Sequence, residues 1–225
     1  MLTRCAYAFL LGILALCAAA AQEKRLPRVV LIGDSIRMGY APFVAKRLDR
    51  KAIVISPAPN GQDSGNVLRN FEEWVLNERP DVVHINAGLH DLKLKDKSYQ
   101  VPLVEYEKNL RTILERIQKE TKAKIIFATT TPILDNLHAR RNAGFDRLEA
   151  DVLKYNIAAV SIMKEVGVPI NDLHKLVEGA GKEKLISSDG THYTQEGYEI
   201  LAAAVTDSIL GRLRELDGTT SSTQP

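Results

Sequence analysis

Asp189 and His192 stand three residues apart in SSDGTHYT, residues 187–194, just ahead of a long helical pattern. A carboxylate beside an imidazole orients the ring and stabilises its charged form, which makes the ring a usable general base. Such a base needs a hydroxyl to work on, because a serine alone is a weak nucleophile. Ser35 in LIGDSIRMGY offers one. It follows a strand pattern directly, Gly33 permits a tight turn, and N–H groups at the start of the next segment can face an anion. Ser35, Asp189 and His192 therefore read as a serine–histidine–aspartate arrangement in the chain order Ser, Asp, His, a set recognised by roles rather than by fold. Acyl transfer also requires donors where negative charge develops. The backbone N–H groups of Ser35 and of Gly61 in PNGQDSGN, and a ring N–H of His90 in AGLHD, are the candidates.

The elements that must position these residues alternate along the chain. RVVLIG, AIVIS, DVVHINAG, AKIIFATT and VPIND are short β-branched runs. Between and after them lie the helical patterns APFVAKRLDRK, NVLRNFEEWVLNE, LVEYEKNLRTILERIQKE, FDRLEADVLKYNIAAVSIMKEVG and TQEGYEILAAAVTDSILGRLREL. Strands of about five residues alternating with helices imply right-handed crossovers and a parallel sheet covered on both faces, a three-layer α/β/α sandwich of the α/β class. Ligands in such sheets sit beyond the carboxyl ends of the strands, so the strand-to-helix loops should carry the function. All the candidate residues fall in those loops.

The chain opens with a basic residue, Arg4, followed by an apolar run that ends in small residues. This is the form of a secretory signal peptide over residues 1–21, cut after Ala21. The expected mature domain spans residues 22–216, and the small polar tail of residues 217–225 is expected to be disordered. Both cysteines, Cys5 and Cys17, fall in the leader, so the mature chain offers no disulfide and no thiolate. Removing the leader takes the formal charge from 30 − 28 = +2 to 29 − 28 = +1. A balance that close to neutral gives no electrostatic reason to bind nucleic acid or an anionic membrane surface.

Four stretches carry a resemblance: GDSI with Ser35, NGQDSGNVL with Gly61, GLHD with His90, and DGTHYTQEGY with Asp189 and His192. In this order they are similar to the four blocks of the SGNH hydrolases, also called GDSL esterases and lipases. The resemblance implies a flavodoxin-like five-stranded parallel sheet of order 2-1-3-4-5 and hydrolysis of esters or thioesters with no metal and no cofactor. It also implies Ser35 as nucleophile, Asp189 and His192 as its partners, and the Ser35 and Gly61 N–H groups as oxyanion donors. His90 departs from the family pattern, which has asparagine there. A neutral histidine has a single N–H whose place depends on tautomer, so it can replace the amide only if its other nitrogen is engaged, by Asp91 or a backbone carbonyl.

Ordinary explanations stand beside these. Asp34 and Ser35 could cap a helix, His84 is expected as a satisfied core histidine, and His174 is expected to face solvent. Arg37, His138 and Arg140 are candidates for a rim that contacts substrate, against a plain solvated charge cluster. The expectation is a secreted or periplasmic serine esterase acting through an acyl-enzyme on a small-molecule or glycan ester, with no stable membrane insertion after leader removal. Polar loops and the lack of an apolar lid favour a small acyl group, acetyl, on a carbohydrate. The alternatives are a lysophospholipase- or thioesterase-type acylhydrolase, or a binding module of the same fold with weak catalysis.

Overall fold

Val29, Val30, Leu31 and Ile32 are almost wholly enclosed, as are Val82, Val83 and Ile85 and Ile126, Phe127 and Ala128. Apolar runs of this kind have no polar face to give to water, so their strands must lie inside a sheet covered on both sides. Each fully buried Val, Leu or Ile contributes roughly 1.5–3 kcal/mol by leaving water. In this computed structural model, which describes residues 25–221, the runs are strands β1 (Arg28–Ile32), β3 (Val82–Ile85) and β6 (Lys124–Ala128). With β2 (Ile53–Ile55) and β7 (Ile170–Asn171) they make one parallel sheet of order β2-β1-β3-β6-β7. The strands β4 (Leu94–Lys95) and β5 (Ser98–Tyr99) form a separate two-stranded ribbon. Numbered among themselves, the five sheet strands run 2-1-3-4-5, the expected order, and flanking helices complete the three layers.

The helices are α1 (Ser35–Arg47), α2 (Ser64–Arg69), α3 (Leu103–Glu120), α4 (Asp135–Arg140), α5 (Glu149–Val166), α6 (Leu173–Ala180), α7 (Lys182–Leu185) and α8 (Gln195–Ser221). Residues 1–24 and 222–225, and with them the expected leader, lie outside the described residues. The last helix runs past residue 216 into the stretch expected as a tail. Among the described residues, no helix is long and apolar enough to cross a membrane.

Several boundaries differ from the sequence reading. The first helix begins at Ser35 rather than at Ala41, because the Asp34 carboxylate caps it by accepting the Ile36 N–H at 2.8 Å. Pro42 therefore lies inside the helix. The expected helix over 66–78 divides into α2 and a π-helical turn, Glu72–Leu76. The expected helix from Phe145 begins only at Glu149, because Asp146 is bridged to Leu94 through Leu94 N–H to Asp146 C=O at 2.9 Å and Asp146 N–H to Leu94 C=O at 2.8 Å.

His84 is buried in the core as expected, in β3 between Leu31 and Ile126 on the neighbouring strands, but it is only half satisfied: Nε2 lies 3.3 Å from Asn171 Nδ2 and Nδ1 has no partner among the described residues. Burial pushes its ring down to about 4 from 6.5, so it folds neutral. A histidine depressed in this way contributes stability that is complete above the unfolded value and is lost as pH falls from 6.5 toward 4, by roughly 3 kcal/mol at most. His84→Gln is expected to flatten the fall of urea midpoint over that window relative to the parent chain, whatever its stability at neutral pH. Equal slopes for the two proteins would contradict this.

Candidate active site

The hydroxyl of Ser35, in the first turn of α1, and the ring of His192, three residues before α8, meet at the carboxyl edge of the sheet. Ser35 Oγ and His192 Nε2 are 2.9 Å apart, and His192 Nδ1 lies 2.5 Å from Asp189 Oδ2. Packing of α8 on α1 sets this approach, for Tyr198 occupies the space that a side chain at Gly39 would fill.

The turn that carries Asp189 and His192 is tied at many points. Ile186 and Tyr193 bridge across its base, and the Ser187 N–H donates to the His192 carbonyl at 2.7 Å. Asp189 Oδ1 accepts from Ser187 Oγ at 2.9 Å, Thr191 N–H at 2.9 Å and His192 N–H at 2.8 Å. Between them Gly190 takes φ +74°, and a Cβ there would stand 2.4 Å from the His138 nitrogen, so the turn tolerates only glycine. Burial opposes ionisation of Asp189, yet the His192 ring and the N–H and O–H donors outweigh it and hold the carboxyl well below the usual carboxylate range. An ionised carboxylate can only accept, so Nδ1 of His192 carries the proton and Nε2 is left as an acceptor toward the serine hydroxyl.

Arg141, in the loop after β6, also approaches this carboxylate, with Nη1 at 3.4 Å from Asp189 Oδ2. In the sequence Arg141 belongs, with His138 and Arg140, to the loop run that reads as either a solvated charge cluster or a rim contacting substrate. Asp34 beside the serine is fully buried, with one oxygen capping α1 and the other, Oδ2, lacking a hydrogen bond. Burial raises its carboxyl above the ordinary value, against the pull of the Ile36 N–H and the cations Arg147 and Arg37.

The expected oxyanion donors fare differently from one another. The Ser35 N–H, at the N-terminal end of α1, donates to no other described residue. Gly61 does not present a free donor: its N–H is bonded to the Gly33 carbonyl at 3.0 Å. A Cβ at Gly61 would lie 2.5 Å from that same oxygen, so the glycine serves the close seating of the second loop on the first. His90 is half-buried, and its ring makes no hydrogen bond to a described residue. Burial, followed by the charges of Lys93 and Arg147, pushes it down to about 3, which leaves a neutral ring with one N–H to give. Asp91 does not engage that ring. Its carboxylate accepts the Ser64 hydroxyl at 2.5 Å and the Ser64 N–H at 2.9 Å, and Asn109 closes the network on Ser64 Oγ at 3.0 Å. This buried set fastens the His90 loop to α2.

The expected substrate rim is largely corrected. Arg37 is buried, with Nη1 on Ser56 Oγ at 2.6 Å and the Pro57 carbonyl at 2.7 Å, and Nη2 on the Pro59 carbonyl at 2.8 Å and the Gly33 carbonyl at 3.0 Å. Its donors are consumed in folding the loop after β2, which leaves none for substrate. His138 is likewise buried, its Nδ1 3.1 Å from Thr191 Oγ1, and it supports the Asp189–His192 turn from behind. Arg140 is exposed at the end of α4. His174, expected to face solvent, instead holds Glu149 Oε1 at 2.6 Å from Nε2. Among the described residues, Glu149, His174 and Glu178 bring their donor atoms within 4.8 Å of one another, the spacing a metal ion needs. Those donors are already engaged, Glu149 with His174 and Glu178 with Lys182 at 2.7 Å.

Comparison with known proteins places this geometry among relatives. Residues 31–200 match the GDSL-like lipase/acylhydrolase family, a span that holds Ser35, Gly61, His90, Asp189 and His192. The human isoamyl acetate-hydrolyzing esterase 1 homolog is 27% identical over 208 residues, covering 84% of this chain and 84% of its own. The lipase/acylhydrolase of Enterococcus faecalis superposes with TM-score 0.72 at 25% identity, over 83% of this chain and 97% of that one. An acetylxylan esterase of Geobacillus stearothermophilus shares the fold at TM-score 0.67 and 22% identity, over 81% and 94% respectively.

Proposed function

The chain belongs to the GDSL-like lipase/acylhydrolase family and is an ester-hydrolysing serine hydrolase, and we propose that it cleaves carboxylic esters through an acyl-enzyme on Ser35. The observation that carries this reading is the 2.9 Å contact between His192 Nε2 and Ser35 Oγ, with Asp189 2.5 Å behind the ring. His192 takes the serine proton as Oγ attacks the ester carbonyl, and Asp189 stabilises the imidazolium that forms. The ring then returns the proton to the leaving alcohol, and a water activated by the same nitrogen releases the acid. Charge on the tetrahedral oxygen is met by the Ser35 N–H at the start of α1 and by the ring N–H of neutral His90.

A small acyl group on a carbohydrate is the substrate we favour. The human relative is named for an acetate ester, and the fold is shared with acetylxylan esterases. Exposed Asn142, Arg140 and Arg141 and the exposed Gln62 make polar borders near the site, suited to sugar hydroxyls rather than to a long acyl chain. Export through the leader of residues 1–21 completes the reading and fits a polymer substrate outside the cytoplasm.

Ser35→Ala is expected to lower turnover of an aryl acetate by ~10⁴ or more. Parent-level turnover in that variant would remove Ser35 from the chemistry. Acetate release from acetylated xylan or pectin, measured against long-chain lipid and thioester substrates, tests the acyl preference, and turnover of the latter alone would overturn it. For His90→Ala the expected loss in kcat is about 10²-fold, as for removal of one oxyanion donor. An unchanged kcat would assign the ring to structure.

A further inference from the structure

Arg147 and Lys93 are charged groups that the mechanism above does not use. Arg147 is only 5% exposed, and its Nε donates to the Leu89 carbonyl at 2.8 Å, next to His90 in the chain. Its two amino groups bond to no described residue, yet they are not sealed inside the protein. Lys93 is half-buried and forms no ion pair with a described residue. Both cations sit over one ring, Lys93 Nζ at 4.9 Å and Arg147 Cζ at 5.0 Å from the centroid of Phe145. The bridge between Leu94 and Asp146 locks the two loops that carry them.

Two like charges held on one small ring repel, and each is also partly stripped of water. Burial pushes Arg147 down to about 10, so it stays charged at neutral pH, and burial together with Arg147 lowers Lys93. Arg147 acts electrostatically on Asp34, His90 and Asp189, which places its charge at the catalytic edge. The nearest carboxylates form no ion pair with either cation among the described residues: Asp63 caps α2 and accepts Gln100 Nε2 at 2.5 Å, and Asp34 caps α1 through one oxygen while its buried Oδ2 stays without a hydrogen bond. An unpaired, nearly buried guanidinium with free amino groups presents a planar fork that fits a carboxylate, and a nearby ammonium adds a second point of charge.

We propose that Arg147 and Lys93 form a clamp for a carboxylate on the ester substrate, so that the enzyme prefers acidic esters such as acetylated sugars bearing a carboxyl group. This rests on the serine-esterase reading and narrows its substrate class.

The test compares three esters on the parent chain, Lys93→Gln and Arg147→Gln: phenyl acetate, 4-acetoxybenzoate and the phenyl monoester of succinic acid. The second carries its carboxylate on the leaving alcohol and the third on the acyl group. The expected result is about a tenfold fall in the ratio of kcat/KM for one acidic ester over phenyl acetate in each variant, and the ester affected tells which side of the bond the clamp faces. An unchanged ratio overturns the proposal, and a parallel fall on all three esters assigns the cations to the reacting oxyanion instead. Should Arg147→Gln fail to fold, Lys93→Gln decides, since its side chain is only half-buried. If the parent chain turns over none of the esters, the esterase reading has failed and the clamp is judged by calorimetric binding of D-glucuronate against D-glucose. Preferential binding of glucuronate that weakens in Lys93→Gln supports the clamp, and equal binding of the two sugars overturns it.

Discussion

The hydrogen bond between His192 Nε2 and Ser35 Oγ joins residues 157 positions apart, and the rest of the architecture can be understood as the means of closing that gap. In the sheet order β2-β1-β3-β6-β7 the chain leaves β1 for one neighbour, β2, and returns to the other, β3, so a crevice opens at the carboxyl ends of β1 and β3. Ser35 follows β1 and His90 follows β3, which puts the proposed nucleophile and the proposed neutral donor on the two sides of that crevice. The last helix then crosses α1 with Tyr198 over Gly39 and delivers His192 from the far end of the chain. A parallel sheet buried on both faces does not slip in register without exposing its apolar runs, so the edge that carries these loops is fixed.

The electrostatics of the edge divide into charged and neutral roles. Asp189 is held ionised by four donors that outweigh its burial, and this fixes the tautomer that the proposed base role of His192 requires. His90 is held neutral by burial and by cations beside it, so it can donate without carrying a charge of its own. Asp91, next in the chain, is raised to about 6 by burial, and its hydrogen bonds to Ser64 turn it into a fastener of the loop. Neighbouring residues of similar chemical capability are thus given unlike tasks by what surrounds them.

Much of this was legible in the sequence, and the failures have physical causes. The runs at 28–32, 82–85 and 124–128 announced themselves because buried parallel strands are continuously apolar. The helix over Leu103–Glu120 was readable because its apolar positions repeat at helical spacing on one face. Proline is usual in a first turn, so Pro42 favours a start at Ala41, whereas the Asp34 cap sets the start at Ser35, six positions earlier. The meeting of Ser35, His192 and Asp189 could be anticipated from residue types and chain order alone. The roles of Arg37 and Gly61 could not, because a buried arginine bonded to loop carbonyls and a glycine needed for close approach carry the same letters as a substrate contact and an oxyanion donor. Arg147 falls within the stretch expected as a helix from Phe145, and only the bridge from Asp146 to Leu94 takes it out of that helix and next to the His90 loop.

The convergence of Ser35, His192 and Asp189 is tested most directly by treating the protein with a fluorophosphonate and mapping the adduct by peptide mass spectrometry. A single phosphonyl group on Ser35, lost in His192→Ala, is the predicted result. No adduct on Ser35, or labelling that persists undiminished without the imidazole, would contradict the account.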